Sequence, residues 1–362
     1  MAAGYLVSDT PRIPSVCLSH LFCLVYSIFL LYASVFTGSG GGFTAVNTAP
    51  FERSEWVRHG GDWYFVTVPP MGYTAVTSKP SPVPEVFAAD GILRNDRLEA
   101  RFNDDGTLDS VRDAASGREY LSGSSNVLEV YEDSGDAWDF NILTRQTAHS
   151  RCKLVRTEYY TDGPCAVCES TYRTGSSELV QKAVLKLGSR RIDFITKADW
   201  NETHRMLRAS FSTGVSSNHL RSPTAPGASA DKGKHEFTYS LYPHEGGLDE
   251  GGTAAEGYML NLPIRCIDRL PEQKSFSLVR TDKKNVVVET VKYAEDNDDI
   301  IIRAYENSGA DVSAVLTLGL DIGRVRVTDL MEHEQADLPH DRNSFCLDLK
   351  PFEIKTVRIT KR

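Results

Sequence analysis

Runs of one-sign charge, dense cysteine and sustained helical periodicity are all missing from this chain. Seven cysteines in 362 residues fall far below the density with which small secreted domains replace a core by disulfides, and the length suffices for a core without them. The number is odd, and Cys17 and Cys23 sit in an apolar N-terminal run, so no disulfide framework can be read and the redox compartment stays open. Lys and Arg total 40 against 49 Asp and Glu, a net charge of −9. No segment gathers the basic residues that track a phosphate backbone, which argues against nucleic acid as a partner. Glycine and proline, at 27 and 16, are ordinary for a globular protein and exclude a fibrous repeat. Neither an HExxH motif, a Ser-His-Asp order nor a phosphate-cradling glycine loop stands out.

Residues 16–36 run 21 positions without Asp, Glu, Lys or Arg, about the length that crosses a bilayer as a helix. The run reads as a signal anchor in contact with a membrane, as a signal peptide, or as a segment foreign to the native protein that arose from a misplaced start. A flexible GSGGG break follows at 38–42. From Phe43 onward, runs of four to eight β-branched and aromatic residues recur, for example 63–68, 127–131, 192–196, 300–305 and 354–359. Turn pairs such as Asp90-Gly91, Asp105-Gly106 and Asp162-Gly163 punctuate them. The pattern predicts an all-β fold, most simply a large antiparallel sandwich; an α/β fold would need helices between the strands.

Among chemistry-bearing residues, Cys165-Ala-Val-Cys168 is a lone CxxC. On an extended strand, positions i and i+3 point to opposite faces, so the two thiols are not expected to converge on a metal. Asn201-Glu202-Thr203 matches a glycosylation sequon. Asp199, Trp200 and His204 read either as the lining of a surface groove or as sheet anchors. The densest polar cluster is EDSGDAWDF at 132–140, with four carboxylates in eight residues, two of them flanking Trp138. Carboxylates accept hydroxyl hydrogen bonds and an aromatic face covers the apolar face of a pyranose, so a sugar site centred on Asp136, Trp138 and Asp139 is one reading. The other is an Asp-rich turn whose carboxylates cap backbone N–H groups.

Several blocks occur in a recognisable order: VPPMGYTAV (68–76), DGILRNDRLEARFNDDGTLDSVRDAASGREYL (90–121), LEVYEDSGDAWDFNI (128–142), RRIDFITKADWNETHRMLRASFS (190–212), HEFTYSLYPHEG (235–246), NVVVETVKYAED (285–296) and KPFEIKTVRI (350–359). In that order they resemble the C-terminal β-domains of glycoside hydrolase family 38, the α-mannosidases, and the GDAWDF form is similar to the bacterial and cytosolic-vacuolar branch. The resemblance implies a galactose mutarotase-like supersandwich over 43–272 and a smaller C-terminal β-sandwich over 273–362, after an apolar segment and linker at 1–42. It implies mannose-containing glycans as partners and a β-domain that completes the cleft of a retaining mannosidase. The family's aspartate nucleophile and its zinc, held by Asp and His, lie in an N-terminal part; this chain shows no HxD or HHD block, so no catalytic residue, metal ligand or cofactor is expected in it. A non-catalytic carbohydrate-binding or scaffold module, or a non-functional gene fragment, is the alternative. The compartment is secretory or membrane-associated if 16–36 is genuine, and cytoplasmic or vacuolar otherwise. One departure is internal: SFSTGVSS (210–217) runs directly into NHLRSP (218–223), where the family has further strands, so an internal deletion near Ser217 is expected.

Overall fold

The computed structural model describes residues 5–8, 41–133, 148–213, 216–222, 225, 227 and 229–362. The apolar run 16–36 and the stretch 134–140, with Asp136, Trp138 and Asp139, lie outside the described residues. The fold is all-β as expected: every pairing between strands is antiparallel, and the described residues contain one α-helix, Thr253–Asn261. No helix among them is long and apolar enough to cross a membrane.

Strand formation follows from alternation. In Ser177–Lys186 (SELVQKAVLK) every second side chain, Leu179, Gln181, Ala183 and Leu185, is buried while its neighbours are half-buried or exposed. A period of two places one set of residues on the core face of a sheet and the other toward water. Tight turns supply the reversals. Gly106 adopts φ +81°, and a Cβ there would collide with the Tyr172 hydroxyl, which donates to the Gly106 carbonyl at 3.0 Å. The Asp105-Gly106 turn thus needs glycine for both backbone freedom and close approach.

The chain forms two compact units. The first comprises Pro82–Thr253 with the strand Tyr5–Ser8. It holds a six-stranded sheet in the order 5–8, 233–242, 192–200, 177–186, 165–174, 153–162, and a four-stranded sheet in the order 148–151, 127–132, 205–210, 216–221. A second four-stranded sheet runs sequentially through 87–89, 92–94, 98–102 and 108–113. One apolar core joins all three, with Leu98, Leu108, Val130, Leu179, Phe194 and Leu207 among its members.

The second unit comprises 43–81 and Ala254–Arg362. Strand Phe43–Asn47 pairs with Gly72–Val76 on one side and with Arg265–Ile267 on the other, and Gly72–Val76 pairs with Ser275–Ser277. The strands on either side of residue 272 therefore share one sheet. The hairpin Arg53–His59 with Asp62–Val68 packs Val57, Val66 and Val68 with Phe43, Ala45 and Val76, and the unit also holds a three-stranded sheet (279–281, 312–318, 344–349) and a five-stranded one (286–293, 300–306, 354–361, 322–328, 334–338, in that spatial order). Buried Arg53 donates to the carbonyls of Leu262 and Met259, the latter at 3.3 Å, and so satisfies the C-terminus of the helix.

Candidate functional site

Strand Val127–Glu132 leads into the acidic cluster. Its alternation sends Leu128 and Val130 into the core and Glu129 and Tyr131 to the other face. There Glu129 Oε2 accepts from the Tyr131 hydroxyl at 3.0 Å and from Ser210 Oγ of the neighbouring strand at 2.7 Å, with Arg151 Nε 3.9 Å from Oε1. The Arg208 guanidinium lies 4.7 Å over the Tyr131 ring, a cation–π arrangement. Burial, then the hydrogen bond to Glu129, raises the Tyr131 phenol above its ordinary pKa and keeps it protonated.

At the strand end, Glu132 faces Arg205 at 3.7 Å. Asp133 is buried and accepts a bidentate pair from Arg221, Nε at 2.9 Å and Nη2 at 2.8 Å, the strong fork geometry of guanidinium and carboxylate. The backbone N–H of Asp133 donates to the carbonyl of His204 at 2.9 Å, and the His204 N–H donates to the carbonyl of Ser222 at 2.9 Å. Asp133, just past the strand end, is therefore held through both its side chain and its backbone. Of the four carboxylates read as a cluster, Glu132 and Asp133 are in ion pairs, Asp133 as an internal anchor. Asp136, Trp138 and Asp139 lie outside the described residues.

The remaining sequence candidates divide. Trp200 is a sheet anchor: it is fully buried, and its indole donates to Ser222 Oγ at 3.2 Å. His204 is exposed and adopts φ +53°. Asn201 is exposed and donates through Nδ2 to Asp199 at 3.0 Å. Cys165 and Cys168 are buried, free thiols; burial raises both, Cys165 to about 11, which disfavours the thiolate a metal needs. No group of three or more His, Cys, Asp or Glu among the described residues could hold a metal ion.

Two polar features had no sequence signal. Asn126, Gln181, Thr196 and Tyr239 form a buried network: Asn126 Nδ2 donates to Gln181 Oε1 at 2.7 Å, Gln181 Nε2 to Thr196 Oγ1 at 3.0 Å and to Tyr239 Oη at 2.9 Å, and Tyr239 Oη to Asn126 Oδ1 at 2.5 Å. His219 occupies a β-bulge, since Leu207 pairs with Leu220 and Arg208 with Asn218. The bulge turns its ring inward, stacked on Phe237 at 4.6 Å and on Tyr239 at 4.4 Å. His219 Nε2 has no hydrogen-bond partner among the described residues, and burial depresses the pKa to about 3.

Comparison with known proteins places this architecture. Residues 93–228 match the glycosyl hydrolases family 38 C-terminal domain, and residues 285–357 match the glycosyl hydrolases family 38 C-terminal beta sandwich domain. The chain is 27% identical to alpha-mannosidase 2C1 of Homo sapiens over 411 residues, covering 87% of this chain and 39% of that protein. It is 24% identical to alpha-mannosidase G of Dictyostelium discoideum over 362 residues, covering 75% of this chain and 32% of the relative. The chain thus spans well under half the length of these relatives. The human alignment is longer than the chain itself, so that relative carries residues inside the aligned span that have no counterpart here. The crystal structure of an alpha-mannosidase from Enterococcus faecalis V583 shares the fold, with a TM-score of 0.66 at 11% identity over 99% of this chain and 54% of that one. Two successive domain matches, one within each compact unit, on an antiparallel all-β framework, make this chain a member of glycoside hydrolase family 38, corresponding to its C-terminal region.

Proposed function

We propose that this chain is the glycan-binding β-region of an α-mannosidase and helps to complete the cleft that holds a terminal mannoside. The site is assigned to the segment that follows Asp133 in the chain, with Asp136 and Asp139 accepting sugar hydroxyls and Trp138 covering a pyranose face. The observation that supports this reading most is the anchoring of Asp133. Arg221 holds its carboxylate and the His204 carbonyl holds its N–H, which fixes the root of an acidic-aromatic segment and lowers the ordering cost of ligand binding.

Retaining hydrolysis requires a nucleophile and an acid/base about 5 Å apart around the sugar. We assign that pair, with the zinc, to the catalytic part that the family resemblance implies, so the chain alone binds without turnover. The test is titration of the purified chain with an α-1,2-linked mannobiose, followed by nuclear magnetic resonance, alongside release of nitrophenol from an aryl α-mannoside. Saturable binding that Trp138→Ala abolishes, without nitrophenol release, is the expected result. Absence of binding, or binding indifferent to Trp138→Ala, refutes the assigned site; zinc-dependent turnover refutes the division of labour.

A further inference from the structure

His219 is a titratable side chain that the first unit buries without a hydrogen-bond partner for Nε2 among the described residues. It lies on Ser216–Arg221, the edge strand of the four-stranded sheet, whose neighbour in that sheet is Arg205–Ser210. The register shifts at the residue itself, between the Leu207–Leu220 and Arg208–Asn218 pairs, so the ladder is broken where the imidazole turns inward. The same strand carries a fastening. Arg221 grips the Asp133 carboxylate through Nε and Nη2, and its N–H donates to Asp231 Oδ2 at 2.8 Å. Just beyond, the Ser222 N–H donates to the Arg205 carbonyl and the Ser222 carbonyl accepts from the His204 N–H, both at 2.9 Å. Any movement that carries His219 out to water therefore pulls on Arg221, next but one along the strand.

The described surroundings of the imidazole supply no counter-charge. From Gly233–Tyr242 the rings of Phe237 and Tyr239 stack on it, and the Tyr239 hydroxyl is engaged with Asn126 and Gln181. His235, next on that face, is bonded through Nε2 to the Asp231 carbonyl at 2.6 Å. Lys234 and Glu236 alternate to the opposite face, Glu236 lying 3.7 Å from Lys197. From Arg205–Ser210, Leu207 and Ala209 face the core, whereas Arg208 lies over Tyr131 on the other side and Arg205 faces Glu132. His204, in the turn before that strand, is exposed. The strand Tyr5–Ser8, paired with Gly233–Tyr242, contains no residue type that titrates in acid.

We infer that His219 is an acid-operated latch: on taking up a proton it drives Ser216–Arg221 off the sheet as a local unit and draws Arg221 away from Asp133, while the six-stranded sheet stays closed. An imidazolium without an acceptor is poorly tolerated in the interior, and stacking on two aromatic faces offsets only part of that loss. Release of an edge strand breaks one ladder where an inner strand would break two, so local opening is the easier route to water. The open form takes up a proton near the ordinary 6.5 and the closed form only near 3. Each pH unit below 6.5 therefore multiplies the open population about tenfold. The latch is independent of what the first unit binds.

The test is amide hydrogen exchange of the full chain at pH 7.5 and 4.5, corrected for intrinsic rates and repeated at low urea concentrations, for the wild type, His219→Phe and His219→Leu. The Ser222 and His204 amides bridge the edge strand to its neighbour. They should lose protection about a hundredfold in acid in the wild type and far less in both variants. Their exchange should be nearly independent of urea, because a local opening exposes little surface, whereas amides of Ser177–Lys186, an inner strand of the six-stranded sheet, should follow the urea dependence of global unfolding. Asp133→Asn, which weakens the grip of Arg221, should speed exchange of the same two amides at both pH values. Equal acid sensitivity in the wild type and both variants overturns the latch. So does exchange of the edge amides with the protection and urea dependence of Ser177–Lys186, which would make the opening global. Unchanged exchange in Asp133→Asn overturns the coupling to Arg221.

Discussion

Replacing His219 by phenylalanine isolates a single titrating group in the interior of the first unit. The imidazole is 8% exposed, stacked on Phe237 and Tyr239, and its Nε2 lacks a partner among the described residues. Burial lowers its pKa from 6.5 to about 3, so the folded protein holds it neutral while the unfolded chain takes up a proton near 6.5. The unfolded state binds more protons between these values; stability is complete above about 6.5 and declines as pH falls, by about 1.4 kcal/mol per unit, until about pH 3. At pH 4.5 the loss is about 3 kcal/mol. Carboxylates held below their ordinary range, such as Asp113 by the Ser116 N–H, weaken the fold in acid in the same direction, which makes the difference between two proteins the useful quantity. His219→Phe keeps the stacked ring, removes the orphaned nitrogen and removes the titration. Urea unfolding followed by tryptophan emission at pH 7.5 and 4.5 should show the wild type losing about 3 kcal/mol more than the variant. Parallel losses in the two proteins refute the assignment of a buried, neutral His219.

Two further substitutions probe the cores. Glu306 is buried and accepts from Asn285 Nδ2 at 2.9 Å and from the N–H groups of Ser308, Gly309 and Phe352 at 2.7, 2.7 and 3.0 Å. Burial opposes its ionisation, but the Ser308 hydroxyl and these donors outweigh burial and hold it at about 2. Its stabilisation is present above about 4.5 and lost as pH falls through about 2, so Glu306→Gln should cost about 2 to 3 kcal/mol at pH 7 and progressively less in acid, read by urea denaturation. Trp200→Ala should cost about 3 to 5 kcal/mol through the cavity and the lost bond to Ser222, whereas a surface role would leave the unfolding temperature unchanged.

The strand content was legible because alternation is local: SELVQKAVLK displays its inner and outer faces without reference to anything else. Strand partners were not, since nothing near Phe43 shows that it pairs beside Arg265–Ile267, more than two hundred positions away. The acidic cluster was visible as chemistry, yet the reading of Asp133 depended on Arg221, a partner 88 residues distant. Trp200 left groove and anchor open because a tryptophan's neighbours, not its flanking residues, decide its burial. His219 was hidden for a subtler reason: a bulge shifts register by one residue and reverses the face on which period-two counting would place it.

The second unit is assembled from 43–81 and Ala254–Arg362, with the first unit's Pro82–Thr253 inserted between them. During synthesis, strand Phe43–Asn47 can close its hairpin-like pairing with Gly72–Val76 early, but its other edge waits for Arg265–Ile267. At about 5 to 20 residues per second that interval is on the order of ten to forty seconds. Throughout it, an apolar strand with all five residues buried in the finished protein presents an open ladder, the kind of edge that pairs with other chains. The inserted unit, whose pairings all close within Pro82–Thr253 apart from one strand at the N-terminus, can fold in that interval and shorten the effective distance the two halves must search to meet. Folding yield is therefore expected to be governed by how fast the inserted unit condenses, so a lesion in its core would reach the second unit as misassembly rather than as a lost contact.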